Sequence, residues 1–588
     1  MFDKEQQRIE AQILQCLQQS DVPKPETLNW TGIPFSGEWG ISAPFFPVAA
    51  AEARSGKRVN VPQRAQELAE LVAEFLGQPE GFSRIEAVKG YLNLYFSTAE
   101  YARRVIDEVL EKADDYGRGA DKGERTMVEF SQPNTHKAFH IGHLRSMILG
   151  AVLSNIIEFA GYEVVRANYP GDIGLHVIQW LWNYEKHHMG ETPDKDITRW
   201  MGDLYAEAVQ RLAQDPDLES EVRATYARWN AADLELLQLW RETRQWSIDG
   251  FMEIYALMGV RFDRFYYPSE EDEAGKAMVA DLIARGIAED ERPEGPVIVR
   301  VDDQLGLKKD KYRVAVILRS DGTALYATWD MSLARKKYAE YNLDHSLYVV
   351  DVRQSLHFQQ IFKIVEIAGY KTEAAVCEHI PYELVNLPGN VTMASRDGTV
   401  VLLEDLIREA ISRAGEIAQE RNADLTAEQR DVVAKAVGLA AIKFPIVARE
   451  NTKIATFDWE TALDFDGQAA PYIQYAHVRC ASILRRVDEP LPESLLPTYE
   501  LSPAEIELVD LLSQMPETVQ NAAVECKPLH ITNLAYELAR GFNNFYNQCP
   551  VLQADPEIRA VRLRIVAAAK QALANCLRLL TIEAPEFM

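Results

Sequence analysis

Two histidines separated by an isoleucine and a glycine form the pattern in this sequence that is best suited to chemistry. His140-Ile141-Gly142-His143 stands between a short apolar stretch, TMVEF at 126–130, and the apolar run ILGAVLSNIIEFAG. This order is typical of a strand that passes through a loop into a helix. A glycine at such a junction lets a nucleotide approach the backbone closely, and the positive end of the helix favours phosphate. His140 and His143 are three residues apart, so on a helix they share one face and can donate to phosphate oxygens.

Two basic side chains, Lys137 and Arg145, flank the histidine pattern. Cations on both sides, a strand before and a helix after all favour a nucleotide site. Without that context, the four residues alone would indicate two structural histidines in a turn. The pattern in its context therefore predicts a phosphate-binding loop.

The elements that must position this loop alternate between strand and helix. The stretch 126–130, the helix after His140 and the stretch 163–169 predict the start of a parallel α/β sheet. A helical, tryptophan-rich segment at about 181–290 is interpreted as an insertion. Further strand-like stretches follow at 296–301, 315–319 and 346–352.

We predict an α/β protein with three domains. A small α/β domain covers 1–118, and a Rossmann-like domain with a parallel sheet and the helical insertion covers 122–420. Residues 425–588 have a helical pattern and predict an all-α bundle. A chain of 588 residues is long enough for several separate cores.

Composition limits the classes of function. The net charge of −27 repels phosphate, so nucleic-acid binding would have to rely on local patches and on exposed bases. The six cysteines form no C-x-x-C pair, which argues against a structural zinc site and against a disulfide framework. The sequence has neither a basic leader followed by an apolar block nor an apolar run of about 18 residues, so we expect a cytoplasmic protein without membrane contact.

Several stretches, in order along the chain, resemble one family, the class I arginyl-tRNA synthetases. The stretch EFSQPNTHKAFHIGHLRS at 129–146 resembles the first signature of class I, and its arginyl branch in particular. The other matching stretches lie at 168–174 (NYPGDIG), 319–330 (RSDGTALYATWD), 353–362 (RQSLHFQQIF), 457–486, 537–552 and 584–588 (APEFM). Together they cover nearly the whole chain.

The resemblance implies a two-step reaction. Arginine would attack the α-phosphorus of ATP, which binds with Mg²⁺, to form arginyl-adenylate and pyrophosphate. The 2′-hydroxyl of the 3′-terminal adenosine of tRNA(Arg) would then take the arginyl group, which gives arginyl-tRNA and AMP. The implied partners are L-arginine, ATP and tRNA(Arg), without DNA or a membrane, and the implied state is a monomer. Members of the family typically need bound tRNA before they form the adenylate.

The resemblance also implies a slot for a guanidinium group. A carboxylate can bind this flat, forked cation in a bidentate way, which separates arginine from lysine. Tyr326 and Asp330, four residues apart on one predicted helix, match the family's guanidinium ligands, and Glu129 lines the same slot. Taken singly, each has a structural alternative, such as a helix cap for Asp330 or a strand-end charge for Glu129. The other arginine-binding positions are Ser131, Asn134 and Gln354, with His357 nearby.

The implied nucleotide site has a second part, which departs from the family. Class I synthetases usually carry Lys-Met-Ser-Lys-Ser, whereas the matching stretch TMASRDGT at 392–399 lacks the first lysine and has Arg396 in place of the second. Many arginyl enzymes carry instead a lysine just before the first signature, and Lys137 occupies that position. Our hypothesis is that Lys137 and Arg396 act with His140 and His143 as catalytic residues and offset the charge of pyrophosphate. The remaining ATP-binding positions are Pro133, Asn134, Ile141, Gly142, Met393 and Ser395.

An aromatic and basic stripe in the helical region would face the tRNA. Tyr472, Tyr475 and Arg479 are spaced by three and four residues, so they share one face of a helix. Tyrosine rings stack on unpaired bases and arginine pairs with phosphate, which suits an anticodon loop. The alternative is a stripe that faces the core. The resemblance places anticodon contacts at these positions and at Met588, and further tRNA contacts at Asn93 and Tyr95.

Two other functions stay under consideration. One is a class I synthetase or an adenylating ligase for a different amino acid, and the set Glu129, Tyr326 and Asp330 argues against apolar and acidic substrates. The other is a catalytically silent relative that binds tRNA or regulates, and the intact histidine pattern argues against it.

Overall fold

The computed structural model describes residues 3–25, 27–35, 37–55, 58–308, 311–387, 391–392, 402–488 and 490–588. The chain divides into two compact units. The first consists of Met1–Tyr116, Ala476–Met515 and Glu537–Asn575, and the second of Gly117–Tyr475, Pro516–Tyr536 and Cys576–Met588. The three domains predicted from the sequence follow chain order instead, and their bounds stay a prediction.

The N-terminal part of the first unit is built on an antiparallel sheet with strand order β1-β2-β4-β3. Its elements are α1 (Asp3–Gln19), β1 (Thr31–Gly32), β2 (Gly40–Pro44), α2 (Phe46–Arg54), α3 (Val61–Leu76), β3 (Phe82–Val88), β4 (Tyr91–Phe96) and α4 (Thr98–Lys112). Helix α3 packs on β3 and β4. Its buried residues recur at the spacing of helical turns, which gives the helix one apolar face: Ala65, Leu68, Ala69 and Val72.

The second unit begins with a strand and helix alternation and then runs into a group of helices. These elements are β5 (Arg125–Glu129), α5 (Ile141–Phe159), β6 (Glu163–Asn168), α6 (Leu175–Asn183), α7 (Ile197–Gln214), α8 (Glu219–Asn230), α9 (Leu234–Leu257), β7 (Arg264–Phe265) and α10 (Pro268–Ala284). The next elements are β8 (Glu289–Asp290), β9 (Val297–Arg300), α11 (Val301–Gln304), β10 (Val314–Leu318), α12 (Tyr326–Tyr341), β11 (His345–Asp351), α13 (Ser355–Ile367), α14 (Lys371–Ala375) and β12 (Cys377–Tyr382). The unit continues with β13 (Val385–Leu387), β14 (Val391–Thr392), α15 (Leu403–Arg421), α16 (Ala427–Val447), β15 (Ala455–Thr456) and α17 (Trp459–Ala462).

A five-stranded sheet with order β12-β11-β5-β6-β7 forms the centre of this unit. All four strand pairs are parallel, as predicted. The chain runs outward from β5 through β6 to β7, and later returns to fill β11 and β12 on the other side of β5. The order of a parallel sheet therefore reverses between β5 and β11, and a ligand crevice is expected at the carboxyl ends of these strands.

Helix α5 follows β5 and is buried along most of its length, including Leu144, Ile148 and Val152. It lies very close to the strand end, since a Cβ on Gly150 would come within 2.2 Å of Phe130. This contact requires glycine at position 150. The close packing holds the loop between β5 and α5 against the sheet.

Two of the strand-like stretches do not join the parallel sheet. Strands β9 and β10 pair antiparallel with each other, and with β8 they form a separate sheet of order β10-β9-β8. Only the stretch at 346–352 enters the parallel sheet, as β11. Alternating apolar residues predict that a strand forms but carry little information about its partner, which depends on contacts distant in sequence.

The segment interpreted as an insertion is helical from α6 to α9, but its last part contains β7, which returns to the parallel sheet, as well as α10 and β8. The helices form a separate hydrophobic core, in which Trp180 and Trp240 are buried with Leu181, Met201 and Leu236. The tryptophan-rich composition therefore reflects packing of these helices.

The C-terminal region is formed by five helices, and its predicted all-α character is confirmed. These helices are α18 (Ala470–Leu484), α19 (Pro503–Ser513), α20 (Met515–Val524), α21 (Leu529–Gln548) and α22 (Pro556–Leu579). In the part of the chain that the structure describes, none of the helices combines the length and apolarity needed to cross a membrane.

Candidate active site

The loop between β5 and α5 has an unusual backbone. Ser131, Gln132 and His136 have φ values of 77°, 49° and 59°, a region that non-glycine residues rarely adopt. Clusters of such residues persist only where surrounding contacts hold them, often at functional sites. Side-chain oxygens bind the N–H groups of these three residues at 2.9 to 3.1 Å: Ser146 Oγ, Asn168 Oδ1 and Ser247 Oγ.

His140 and His143 form a reciprocal cap at the start of α5. The N–H of Gly142 donates to Nδ1 of His140 at 3.1 Å, and the N–H of His140 donates to Nδ1 of His143 at 3.2 Å. The two rings stack with centroids 3.9 Å apart. Because each Nδ1 accepts a hydrogen bond, a neutral ring carries its proton on Nε2 and presents an N–H donor there.

The electrostatic surroundings keep both rings in the neutral form. Burial lowers the pKa of His140, and the charge of Lys137 adds to the effect. Burial, His140 and Lys137 together lower the pKa of His143 well below its usual value. Gly142 is needed for the cap, since a Cβ there would lie 2.8 Å from the ring of His140.

Lys137 lies beside this histidine pair as a half-buried cation. Its Nζ is 4.8 Å from the ring centroid of Tyr205. Burial lowers its pKa, and among the described residues no carboxylate forms an ion pair with it. A cation held in this way next to two N–H donors and a helix N-terminus attracts an anion.

Asn134 is held against the segment that follows β6. The N–H of Gly171 donates to the carbonyl of Pro133 at 3.0 Å, and the N–H of Thr135 donates to the carbonyl of Gly171 at 2.9 Å. A Cβ on Gly171 would lie 2.5 Å from Oδ1 of Asn134. The orientation of the Asn134 amide therefore depends on glycine at position 171.

Tyr326 and Asp330 lie one turn apart in α12, as the spacing predicts. Oδ2 of Asp330 accepts a hydrogen bond from Nε2 of His357 at 2.6 Å. Asp330 lies within the helix, so the alternative of a helix cap does not hold. Tyr326 is 63% exposed and lines a cavity of about 700 Å³ together with Lys137, His176 and Trp329. Gln354 is exposed directly after β11.

Glu129 at the end of β5 is 3% exposed and already has two partners. It accepts a hydrogen bond from Nε2 of Gln132 at 2.9 Å and forms an ion pair with Lys337. Burial raises the pKa of the nearby Tyr169 hydroxyl well above its usual value, and the charges of Asp330 and then Glu129 add to this effect. The two carboxylates therefore lie near the same side chain.

Three side chains at this site were not among the predicted residues. They are Lys337, Tyr169 and His176. The hydroxyl of Tyr169 and Nε2 of His176 are buried and have no hydrogen-bond partner within the described part of the chain. Burial, with a contribution from Lys137, lowers the pKa of His176 to about 4. Tyr169 lies in the stretch NYPGDIG, which is the sequence signal for it. Lys337 has no such signal, because a lysine on a helix is usually exposed.

The predicted ATP-binding residues of the second signature are not among the residues that the structure describes. These residues are Met393, Ser395 and Arg396. The residues that follow 393–401 are anchored at the histidine pair, since Leu402 forms a bridge with His140 and the N–H of Leu403 donates to the carbonyl of Phe139 at 3.0 Å.

The residues predicted to face tRNA differ in exposure from their neighbours. On α18, Tyr472, Tyr475 and Arg479 are half-exposed, whereas Ile473 and Ala476 are buried. The three side chains are therefore partly accessible, whereas these two neighbours on the helix lie in the core. Arg479 donates to Oδ1 of Asn543 at 3.0 Å and lies 4.8 Å from the ring centroid of Tyr546.

The two N-terminal candidates lie on β4. Oδ1 of Asn93 accepts a hydrogen bond from Ser42 at 2.7 Å, and the ring of Tyr95 lies under Arg84 at 3.8 Å. At the other end of the chain, the carbonyl of Met588 accepts a hydrogen bond from Asn422 at 3.2 Å.

Comparison with known proteins assigns the family. Residues 105–459 match the family described as tRNA synthetases class I (R), catalytic domain, and residues 473–588 match the DALR anticodon binding domain. The first match alone covers more than half of the chain. The chain belongs to the class I arginyl-tRNA synthetases. The predictions of family and enzyme class are confirmed, and the rival reading as a synthetase for a different amino acid is removed.

Full-length relatives support the same family. The arginine–tRNA ligase of Alkaliphilus metalliredigens is 32% identical over 96% of this chain and 97% of its own length. That of Chloroflexus aggregans is 34% identical over 88% and 90% of the two chains. The solved arginyl-tRNA synthetase of Thermus thermophilus superposes with a TM-score of 0.76 at 26% identity and covers 99% of this chain and 100% of its own. The predicted α/β fold class is confirmed.

Proposed function

We propose that this arginyl-tRNA synthetase joins arginine to tRNA(Arg) at the carboxyl ends of β5, β6 and β11, with ATP bound at the start of α5. The observation that carries the proposal is the arrangement around the β5–α5 loop. On one side stand two neutral imidazoles with Nε2–H donors and the Lys137 cation, with which no carboxylate of the described residues forms an ion pair. On the other, Tyr326 lines the same cavity as Lys137, Asp330 lies one turn further along α12, and Glu129 ends the strand that leads into the loop.

ATP enters as its magnesium complex, since Mg²⁺ binds phosphate oxygens and water readily. His140 and His143 donate from Nε2 to the phosphates, and Lys137 offsets the charge that develops as pyrophosphate leaves. Pro133, Ile141 and Gly142 form the backbone against which the nucleotide lies. The catalysis consists of positioning and electrostatic stabilisation, without a covalent enzyme intermediate.

The second signature completes the phosphate site in this proposal. Met393, Ser395 and Arg396 precede Leu402, which is paired with His140. Arg396 would share the pyrophosphate charge with Lys137.

The arginine slot is assigned to α12 and its neighbours. Asp330 binds the guanidinium group with Tyr326, and Glu129 lines the slot. His357 orients Asp330 through the hydrogen bond between them. The α-amino and carboxylate groups are assigned to Ser131, Asn134 and Gln354.

The proposed function is tested by pyrophosphate exchange with each amino acid, with and without tRNA(Arg). We expect exchange with arginine alone, stimulated by tRNA. Exchange with a different amino acid would overturn the arginine slot. Binding of tRNA without any exchange would indicate the catalytically silent relative instead.

Substituting Gly171 by alanine tests the assignment of Asn134. The new Cβ must displace the Asn134 amide, so the KM for arginine is expected to rise about tenfold, with a smaller change for ATP. Steady-state exchange kinetics measure both constants. Gly32→Ala is the control for replacing a glycine, because a Cβ there meets nothing within 4 Å. An unchanged KM for arginine in Gly171→Ala would contradict the role of Asn134.

The tRNA contacts are proposed at Tyr472, Tyr475, Arg479 and Met588 for the anticodon and at Asn93 and Tyr95 for the body of the tRNA. Tyr475→Ala is expected to raise the KM for tRNA about tenfold, because stacking of a base on an aromatic ring contributes about 1–3 kcal/mol. Tyr475→Phe keeps the ring and should stay close to the wild type. If both variants behave alike, Tyr475 does not stack on a base.

We also propose that the protein is a monomer, that it is cytoplasmic, and that it has three domains at 1–118, 122–420 and 425–588. Light scattering on the purified chain tests the first of these, and a mass of two chains would contradict it.

A further inference from the structure

Lys337 is a fully buried cation on the same helix as the proposed guanidinium ligands. It is 0% exposed, and its Nζ forms an ion pair with Glu129. The Nζ also lies 4.1 Å from the ring centroid of Tyr348. Burying a lysine is costly unless it is paired, so the ion pair with Glu129 is what makes this position tolerable.

Helix α12 carries a negative charge, Asp330, and a positive charge, Lys337, at different depths of the proposed arginine slot. Tyr326, Asp330 and Lys337 are spaced by four and seven residues, which places them on one face of the helix. Asp330 and Lys337 are separated by two turns, or about 10 Å along the axis. The anion therefore stands towards the start of α12, and the cation stands deeper, where β5 ends at Glu129.

The carboxylates around Tyr169 differ in their cation partners. Four carboxylates act on the hydroxyl of Tyr169: Asp330, Glu129, Glu271 and Asp172. Three of them have a lysine or arginine partner: Glu129 with Lys337, Glu271 with Lys336 at 2.7 Å and Asp172 with Arg244 at 2.9 Å. Within the described residues, Asp330 is the member of this group whose ion-pair partner is a histidine alone.

We infer that Lys337 is a specificity-determining positioning residue, which neutralises and holds Glu129 and so leaves Asp330, whose ion-pair partner among the described residues is His357, as the carboxylate of the slot that meets the substrate cation. A single negative charge matches a side chain with a single positive charge. Without Lys337 the carboxylate of Glu129 would stand uncompensated beside that of Asp330, and the two would repel each other. The inference rests on the proposed arginine slot and adds a residue to it.

The test uses the full-length enzyme with tRNA(Arg) and measures the KM for arginine and for ATP in four variants: Lys337→Met, Lys337→Arg, Glu129→Gln and the double variant Lys337→Met/Glu129→Gln. Lys337→Met should raise the KM for arginine about tenfold or more and leave the KM for ATP within about twofold. Glu129→Gln should also raise it, because the unmatched Lys337 then cancels Asp330. In the double variant the net charge of the slot is restored, so its KM for arginine should fall below that of either single variant.

Lys337→Arg keeps the charge and is expected to stay within about threefold of the wild type. Since Lys337→Met leaves a buried carboxylate unpaired and could fail to fold, the double variant and Lys337→Arg keep the inference testable. Effects of the two single substitutions that add in the double variant would overturn it, as would an unchanged KM for arginine in Lys337→Met. Absence of arginine-dependent exchange in the wild type would instead overturn the proposed function.

Discussion

Replacing Asp330 by asparagine is expected to raise the KM for arginine about 100-fold or more, while the KM for ATP changes by less than about threefold. The substitution keeps the shape of the side chain and its ability to accept from His357. It removes the carboxylate whose ion-pair partner, among the residues that the structure describes, is His357 and not a lysine or arginine. A guanidinium group in the slot would then be desolvated without a counter-charge, which is the main cost.

Pyrophosphate exchange at varied arginine and at varied ATP measures the two constants. Asp281→Asn is a matched control, because Asp281 lies exposed on α10 and forms only a surface ion pair with Arg285. That control should behave like the wild type. Equal increases in the KM for arginine and for ATP in Asp330→Asn would show a general disturbance of the site and contradict the assignment.

Lys137→Ala is expected to lower the kcat of ATP-dependent activation by about 10²- to 10³-fold, the usual effect of removing one group that stabilises transition-state charge. Lys137 has no carboxylate partner in the described part of the chain and lies beside Nε2–H donors on two neutral histidines. Its charge is therefore available for pyrophosphate. In the proposed site Lys137 and Arg396 share this role, because the second signature lacks its usual first lysine and has Arg396 in place of the other.

Single-turnover formation of arginyl-adenylate, with tRNA present, measures this step. Lys195→Ala removes an exposed lysine from the insertion and is the control for loss of one positive charge. Unimpaired activation in Lys137→Ala would exclude Lys137 from the phosphate site. A defect confined to the KM for arginine would place Lys137 in the other half of the site.

Much of the site could be predicted where its residues are neighbours in sequence. His140 and His143 stack because the first caps α5 and the second lies in its first turn, and Tyr326 and Asp330 lie one turn apart because four residues make about one helical turn. The strands β5, β6 and β11 follow from apolar stretches of the right length. These features depend on local geometry, which the order of residues specifies directly.

Other features depend on pairs that are distant in sequence. Glu129 and Lys337 are 208 residues apart, and neither position suggests the other. The pairing of β9 with β10 in a separate sheet, and the contact between Gly171 and Asn134, likewise required the folded chain. Exposure of Tyr472 and Tyr475 was equally undecided, because a stripe at helical spacing suits the core as well as the surface.

The sequence by itself determined the family and the reaction class, and it supplied the residues proposed for the nucleotide loop and the arginine slot. These rest on short patterns whose geometry is set within one or two helical turns. Only the tertiary structure decided which charges in the slot are balanced and which face of α18 is exposed. Such outcomes depend on the packing of distant segments, where many weak contacts together select one arrangement. No single residue in the sequence indicates that arrangement.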